Sequence, residues 1–224
     1  MKLYYHPVSS TSRMVQMCAV DQGIELEYKL VDILTGEHLK PEFAAINPSR
    51  MVPVLEDGDF RLTESASILR YIGEKAGSPA YPKDLKARAR VNEMTDWFNA
   101  NLYKDFGYGL IYPQLFPHHK RRSDEAQTGA LEFGKQKARE WLKILDESLI
   151  GPQKAFLCGD QPTVADYFGA EVIVLGDIVR CDLSAYPNIS RWVGNMRALK
   201  GWPKVHQGLD GFAAAMKDKP LVAL

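Results

Sequence analysis

Four consecutive hydroxyl residues, Ser9-Ser10-Thr11-Ser12, follow a short apolar run and Pro7, and they open a helical pattern. A hydroxyl at a helix start can donate to an anion, and the helix end adds unpaired N–H groups and a positive dipole end. A second concentration of polar chemistry lies in Asn47–Leu69. Val52 is held extended by Pro53, as residues before proline usually are. Pro53 has no N–H, so this end of the strand cannot be fully paired inside a sheet. The N–H and C=O of Val52 are therefore candidates to hold an extended peptide ligand as an added strand. A cis Val52–Pro53 bond would suit so abrupt a corner. Glu64 and Ser65 stand where the next helical pattern begins, an anion site with a carboxylate beside it suited to an ammonium. A strand edge, an anion site and a carboxylate thus fall within fourteen residues, and together they suit a small peptide-like ligand carrying both an amine and a carboxylate. The competing reading is a hairpin followed by an ordinary capped helix, with Glu64 favouring its own helix dipole.

The elements that would position these groups are readable in order. Leu3-Tyr4-Tyr5 is a short strand, and Arg13–Gly23 places Met14, Val15, Cys18 and Ala19 at helical spacing before a terminating glycine. Ile24–Val31 reads as a second strand, and Leu34–Ala45 as a weak helix. Val52–Leu55 and Phe60–Leu62 form a hairpin through Asp57-Gly58, since glycine tolerates the positive φ of tight turns. Thr63 is the expected cap of a helix running through Ala66, Ile68, Leu69 and Ile72 to about Lys75. The order β-α-β-α-β-β-α predicts an α/β unit on a mixed sheet.

Gly77-Ser78-Pro79-Ala80-Tyr81-Pro82 breaks the last helix and reads as a linker. Beyond it the periods are helical: Lys83–Tyr103, Leu131–Leu149, Thr163–Val179, Asn188–Leu199 and a short Trp202–Leu209. The expected division is 1–78 for the α/β domain, 79–86 for the linker and 87–224 for an all-helical domain. Thr163 and Asp166 have the spacing of a reciprocal capping box, a folding signal rather than a catalytic pair.

The totals narrow the function. The chain has 28 basic and 28 acidic residues among 224, which gives no pull toward nucleic acid or membrane. Its apolar runs are too short to span a bilayer, and Met1–Pro7 lacks the apolar core of a signal peptide. Cys18, Cys158 and Cys181 are widely separated, with neither metal spacing nor a disulfide framework, so they read as buried fillers in a reduced, cytoplasmic protein without a metal. His118-His119-Lys120-Arg121-Arg122 reads as a solvated basic connection. His6 precedes Ser9 by three residues, but the intervening Pro7 disfavours an activating contact, so a Ser-His-Asp hydrolase is not favoured.

Tyr4-Tyr5-His6-Pro7-Val8-Ser9-Ser10-Thr11-Ser12-Arg13 resembles the N-terminal active-site loop of serine-type cytosolic glutathione transferases, with theta, phi and delta members nearest in pattern. Gly36-Glu37-His38, Asn47-Pro48, Met51-Val52-Pro53, Asp57-Gly58, Thr63-Glu64-Ser65 and the box at Thr163 follow in that family's order, so the resemblance covers essentially the whole chain. It implies a thioredoxin-like N-terminal domain, an all-helical C-terminal domain and a homodimer. It also implies roles. Ser9 matches the hydroxyl that hydrogen-bonds the glutathione sulfur, with Ser10 and Thr11 as alternates. Val52, ahead of Pro53, matches the residue whose backbone pairs with the cysteinyl part. Glu64 and Ser65 match the pair holding the γ-glutamyl ammonium and carboxylate. His38 matches a residue near the glycyl carboxylate, with Arg50 or Lys40 as helpers. Met51 departs from members with Gln or Lys before the Val-Pro step, which puts a side-chain contact there in question. The second substrate, a hydrophobic electrophile, is expected between the domains, against Tyr103, Phe106, Tyr108, Ile111, Tyr112 and Phe116, with the tail from Gly208, including Phe212 and Met216, over the same pocket.

The chemistry fits this assignment. A free thiol with a pKa of about 8.5 is only a few per cent thiolate at pH 7. One hydrogen bond to the charged sulfur supplies roughly 1.5–3 kcal/mol, and a helix N-terminus adds about 0.3–1 kcal/mol. A hydroxyl at a helix start is then sufficient without a general base. Conjugation or dehalogenation with glutathione as co-substrate is the leading expectation. The alternatives are a zeta-like isomerase, whose Ser-Ser-Cys motif has Thr11 in place of its Cys here, and a non-catalytic ligand-binding module on the same fold.

Overall fold

The computed structural model describes residues 1–224. Four strands, β1 (Lys2–Tyr5), β2 (Glu27–Leu30), β3 (Val54–Asp57) and β4 (Phe60–Leu62), form one mixed sheet in the order β2-β1-β3-β4. Helix α1 (Ser10–Asp21) crosses from β1 to its parallel neighbour β2, while β3 runs antiparallel to both β1 and β4. This register gathers the site. Tyr4 pairs with Val54 and Leu55 with Leu62, so the exit of β1, the entry of β3 and the exit of β4 share one end of the sheet. Ser9, Val52 and Glu64 lie just beyond those three strand ends.

The second strand is shorter than its sequence pattern, and all four of its residues are exposed, because β2 is an edge. The weak helix expected at Leu34–Ala45 resolves into a 3₁₀ turn at Glu37–Leu39 and the single turn α2 (Pro41–Ala44). Phe43 from α2 joins Val31, Val52 and Val54 in a small apolar cluster beneath the Val52 corner.

Helix α3 (Ser65–Lys75) follows the hairpin, and residues 76–84 lead to α4 (Leu85–Trp97). From Phe98 to Ile111 the helix continues with wider, π-type turns before α5 (Tyr112–Leu115). Helices α6 (Asp124–Ile144), α7 (Val164–Ile173), α8 (Pro187–Arg197) and α9 (Trp202–Ala215) complete an all-helical second half. The last of these extends past the expected Leu209, so Phe212 belongs to a helix and not to a free tail. Gly134 of α6 abuts the backbone of Gly109 so closely that a Cβ on Gly134 would stand 2.7 Å from the Gly109 carbonyl carbon.

Every residue of α7 is buried, which places this helix at the centre of the molecule, against α1, α3 and α4. Its start uses the predicted box: Asp166 Oδ2 accepts from both the N–H and the hydroxyl of Thr163 at 2.8 Å. The other carboxylate oxygen of Asp166 accepts from Leu157 N and Trp192 Nε1, so the group is fully spent on structure. One continuous apolar core runs from Leu3 and Met14 in the first half to Trp192 and Leu209 in the second. No helix is long and apolar enough to cross a membrane.

Candidate functional site

Ser9 is the N-cap of α1, and its Oγ accepts from the N–H of Ser12 at 3.3 Å. The same oxygen lies 2.9 Å from Thr11 Oγ1, and Thr11 donates its own hydrogen to the Val52 carbonyl at 2.9 Å. A carbonyl only accepts, so Thr11 has no hydrogen left for Ser9, and Ser9 is the donor in their contact. Two loops are thereby stitched together, and the Ser9 hydrogen ends on a neutral acceptor it can exchange for a better one.

Ser10 turns the other way. Its Oγ lies 3.0 Å from Tyr103 Oη and 2.9 Å from Tyr112 Oη, and the two phenols are 2.8 Å apart. Three hydroxyls in a triangle can each donate once and accept once, which spends the Ser10 hydrogen in a seam between the halves. Burial pushes the Tyr112 phenol up to about 12 and raises Tyr103 as well, so both remain neutral members of that triangle near neutrality.

His6 does not activate Ser9. Its Nδ1 accepts from Val8 N at 3.2 Å, and its Nε2 is 3.9 Å from Asp32 Oδ1.

At the Val52 corner the Val52–Pro53 bond is cis. Asn47 braces this corner by donating its Nδ2–H to the Met51 carbonyl at 2.8 Å. The Met51 side chain is exposed, and Arg50 has φ +54°. Glu64 has φ +64° and ψ 113°, outside the usual regions for a residue with a side chain, and it occupies the N-cap position of α3. Thr63, expected as that cap, therefore stands one position too early and makes no cap hydrogen bond. Strain of this kind concentrates at ligand clamps. Ser65 is buried at the first turn of α3. His38 sits on the 3₁₀ turn with its Nδ1 buried and without a hydrogen-bond partner in the protein. Burial holds its basicity below the ordinary imidazole value, and the nearby His118 adds to the effect.

The expected electrophile wall divides. Phe106 and Ile111 are correctly read as apolar but belong to the core, at 1% and 0% exposure, and Tyr103 is buried apart from its role in the triangle. Tyr108 is exposed, and Tyr112 and Phe116 are half-buried. The tail does not cover the wall as a free lid. Gln114 holds Val222 by two hydrogen bonds, and Arg180 donates to the carbonyls of Met216, Lys217 and Lys219.

The comparisons agree with the resemblance read from the motifs. Residues 3–80 match the profile of the glutathione S-transferase N-terminal domain, and residues 112–200 match that of its C-terminal domain. The chain belongs to the glutathione S-transferase family. A delta-class glutathione transferase of Nilaparvata lugens is 34% identical, with 96% of this chain and 98% of that one covered and a TM-score of 0.80. Human glutathione transferase theta-2, solved in complex with glutathione, is 31% identical over 100% of this chain and 93% of that one, with a TM-score of 0.83. Human glutathione S-transferase T1-1 is 28% identical over 98% and 92% of the two chains, with a TM-score of 0.82.

Two features of this glutathione S-transferase escape the sequence reading. The run read as a solvated connection is exposed at His118, Lys120, Arg121 and Arg122, but its histidines also join an aromatic cluster: half-buried His119 lies 5.4 Å from the Tyr108 ring and 5.6 Å from that of Tyr112, and His118 stacks near Phe116 at 5.9 Å. The adjacency of Phe116 to the histidine pair is the one signal that hinted at it. Burial lowers the basicity of His119, with His118 and Arg121 contributing. The second feature is Arg13, a charged residue with 0% exposure directly behind the Ser9 loop, which no periodicity reveals.

Proposed function

We propose that this glutathione S-transferase ionises the thiol of glutathione through the Ser9 hydroxyl and directs the thiolate at a hydrophobic electrophile, by conjugation or displacement of halide. The observation that carries the reading is the hydroxyl pair: Ser9 at the α1 N-cap gives its hydrogen to Thr11, which is anchored on the Val52 carbonyl. A thiolate placed beside Ser9 would take that hydrogen in exchange for a neutral acceptor. Charge-assisted hydrogen bonds are roughly twice as strong as neutral ones, so the exchange favours the ionised sulfur. The α1 dipole acts in the same direction.

The rest of the tripeptide fits the same end of the sheet. The backbone of Val52 takes the cysteinyl unit as an added strand, bounded by Pro53 and Met51. Glu64 takes the ammonium, and Ser65 with the α3 N-terminus takes the γ-glutamyl carboxylate. His38 meets the glycyl carboxylate, with Arg50 and Lys40 near enough in sequence to assist. Tyr108, Tyr112, Phe116 and His119 form the wall for the electrophile, an apolar and aromatic surface suited to halogenated or nitroaryl compounds. A homodimer is proposed with it, Phe60 at 45% and Leu85 at 79% exposure being apolar side chains left open to a second copy.

The deciding experiment is Ser9→Ala assayed with glutathione and a panel of halogenated and nitroaryl electrophiles. Loss of one hydrogen bond to a charged sulfur, roughly 1.5–3 kcal/mol, predicts a fall in turnover of about ten- to a hundredfold. Turnover equal to the parent would remove Ser9 from the chemistry. Binding of glutathione by the parent protein without turnover on any compound would favour the non-catalytic module.

A further inference from the structure

A line of buried polar contacts joins the C-terminal helix to the loop that carries Ser9. The guanidinium of Arg13 donates from Nη1 to the carbonyls of Pro7 and Val8, at 3.3 and 2.7 Å. Those are the two carbonyls immediately before Ser9. Its Nε donates to Glu171 Oε2 at 2.8 Å, and both side chains are wholly buried. The other oxygen of Glu171 lies 2.7 Å from Nε2 of His206, close enough for an ion pair although the ring N–H is not aligned along the contact. His206 is itself fixed: Nδ1 is 2.9 Å from the Trp202 carbonyl, and the ring stacks on Trp202 at 3.5 Å and 10°.

The geometry at Glu171 has a consequence for the loop. Arg13 Nη2 is buried and has no partner. Left alone, a carboxylate prefers both arms of a guanidinium in a two-pronged pair. His206 stands against Oε1, so that oxygen is held off the free Nη2 and the Glu171–Arg13 pair stays single-pronged through Nε, while Nη1 holds the loop carbonyls from the other side of the guanidinium. The helix bearing His206 also touches the loop directly, since a Cβ on Gly208 would stand 2.9 Å from Pro7 Cβ. The other charged groups around His206 are Asp177, paired with Arg197 at 2.7 Å, and Asp210 four residues along α9. Burial alone would raise Glu171, but Arg13 and His206 outweigh it and hold the carboxylate below its ordinary range.

We propose that His206 is a positioning residue for sulfur activation. By restraining Glu171 it fixes Arg13, and through the Pro7 and Val8 carbonyls it sets where the Ser9 hydroxyl points. It also keeps the Arg13 charge behind the sulfur. This rests on Ser9 being the activating group.

The test is His206→Phe, which keeps a ring on Trp202 and removes both nitrogens. At saturating glutathione, kcat should fall about five- to tenfold with the KM for the electrophile unchanged. The absorbance midpoint for thiolate formation in the glutathione complex should rise by about half a unit to one unit. His206→Gln, which retains a donor toward Glu171, should recover most of the loss. A folded His206→Phe with the parent's kcat and midpoint overturns the proposal. The unsubstituted protein supplies a second measurement that does not depend on a variant folding. In protein labelled with ¹⁵N histidine, glutathione should shift the His206 ring nitrogens, and unmoved resonances overturn the coupling. Ser9→Ala run in parallel separates the two claims. If it is inactive while His206→Phe is unimpaired, only the His206 role fails; if it is fully active, the Ser9 reading itself fails.

Discussion

Ser9 and Ser10 are chemically the same residue one position apart, and the helix start sends them to opposite tasks. Ser9 caps α1 and faces Thr11, whereas Ser10 enters the buried triangle with Tyr103 and Tyr112. Replacement by alanine should separate them. Ser10→Ala removes two hydrogen bonds and should cost about 1–3 kcal/mol of stability, with turnover near the parent's, because the two phenols keep only each other. Ser9→Ala loses an N-cap worth about 1 kcal/mol, but its main effect should be on turnover. Thermal denaturation alongside steady-state kinetics checks the contrast, and a Ser10→Ala protein that is stable but inactive would reverse the assignment. The sequence showed a run of hydroxyls at a helix start and could not rank them by burial. Which hydroxyl is drawn into the interior depends on Tyr103 and Tyr112, more than ninety residues away. The buried Arg13 was hidden for the same reason, since its partner Glu171 belongs to a different half of the chain.

At the scale of elements, the order of strands and helices along the chain and the hairpin were legible because alternation, Pro53 and Asp57-Gly58 are local signals, whereas the strand order within the sheet was not. The start of α3 was legible only approximately. A residue with a side chain at positive φ leaves no trace in composition, so Thr63 looked like the cap where Glu64 holds the position. The wider turns of Phe98–Ile111 were equally silent, and Phe106 and Ile111, expected on a pocket wall, lie in the core. The unusual backbone of Glu64 gives a prediction in which stability and binding part company. Glu64→Gly relieves strain on the order of 1–3 kcal/mol while adding about 1 kcal/mol of unfolded-state entropy cost. The melting temperature should hold or rise, and the KM for glutathione should rise at least tenfold because the carboxylate proposed to take the ammonium is gone. A variant that melts earlier and binds glutathione normally would mean that Glu64 is a structural cap and not a ligand contact.

At the scale of the whole molecule, the Arg13–Glu171 pair crosses from the first half to the second inside a core that is continuous between them. Glu171 is held below its ordinary range despite full burial, because Arg13 and His206 outweigh desolvation. A carboxylate depressed on folding contributes stability that is fully present above its unfolded value, about 4.3, and is lost as pH falls through its folded value. Asp166, raised by burial, acts in the opposite sense, gaining relative stability as it protonates. Comparison with Glu171→Gln isolates the first effect from the second. At neutral pH the variant should be less stable by on the order of 3–5 kcal/mol, since it leaves Arg13 buried without its counter-ion. As pH falls below about 4.3 the parent should lose this advantage and the two melting curves should converge. All four tryptophans, Trp97, Trp141, Trp192 and Trp202, lie in the helical half, whereas far-ultraviolet circular dichroism also reports the sheet. With one core spanning both halves, fluorescence and dichroism should report the same midpoint at each pH. Curves for parent and variant that stay offset and parallel down to pH 3 would show that ionisation of Glu171 is not what stabilises the fold, and a fluorescence midpoint separated from the dichroism midpoint would show that the two halves come apart independently.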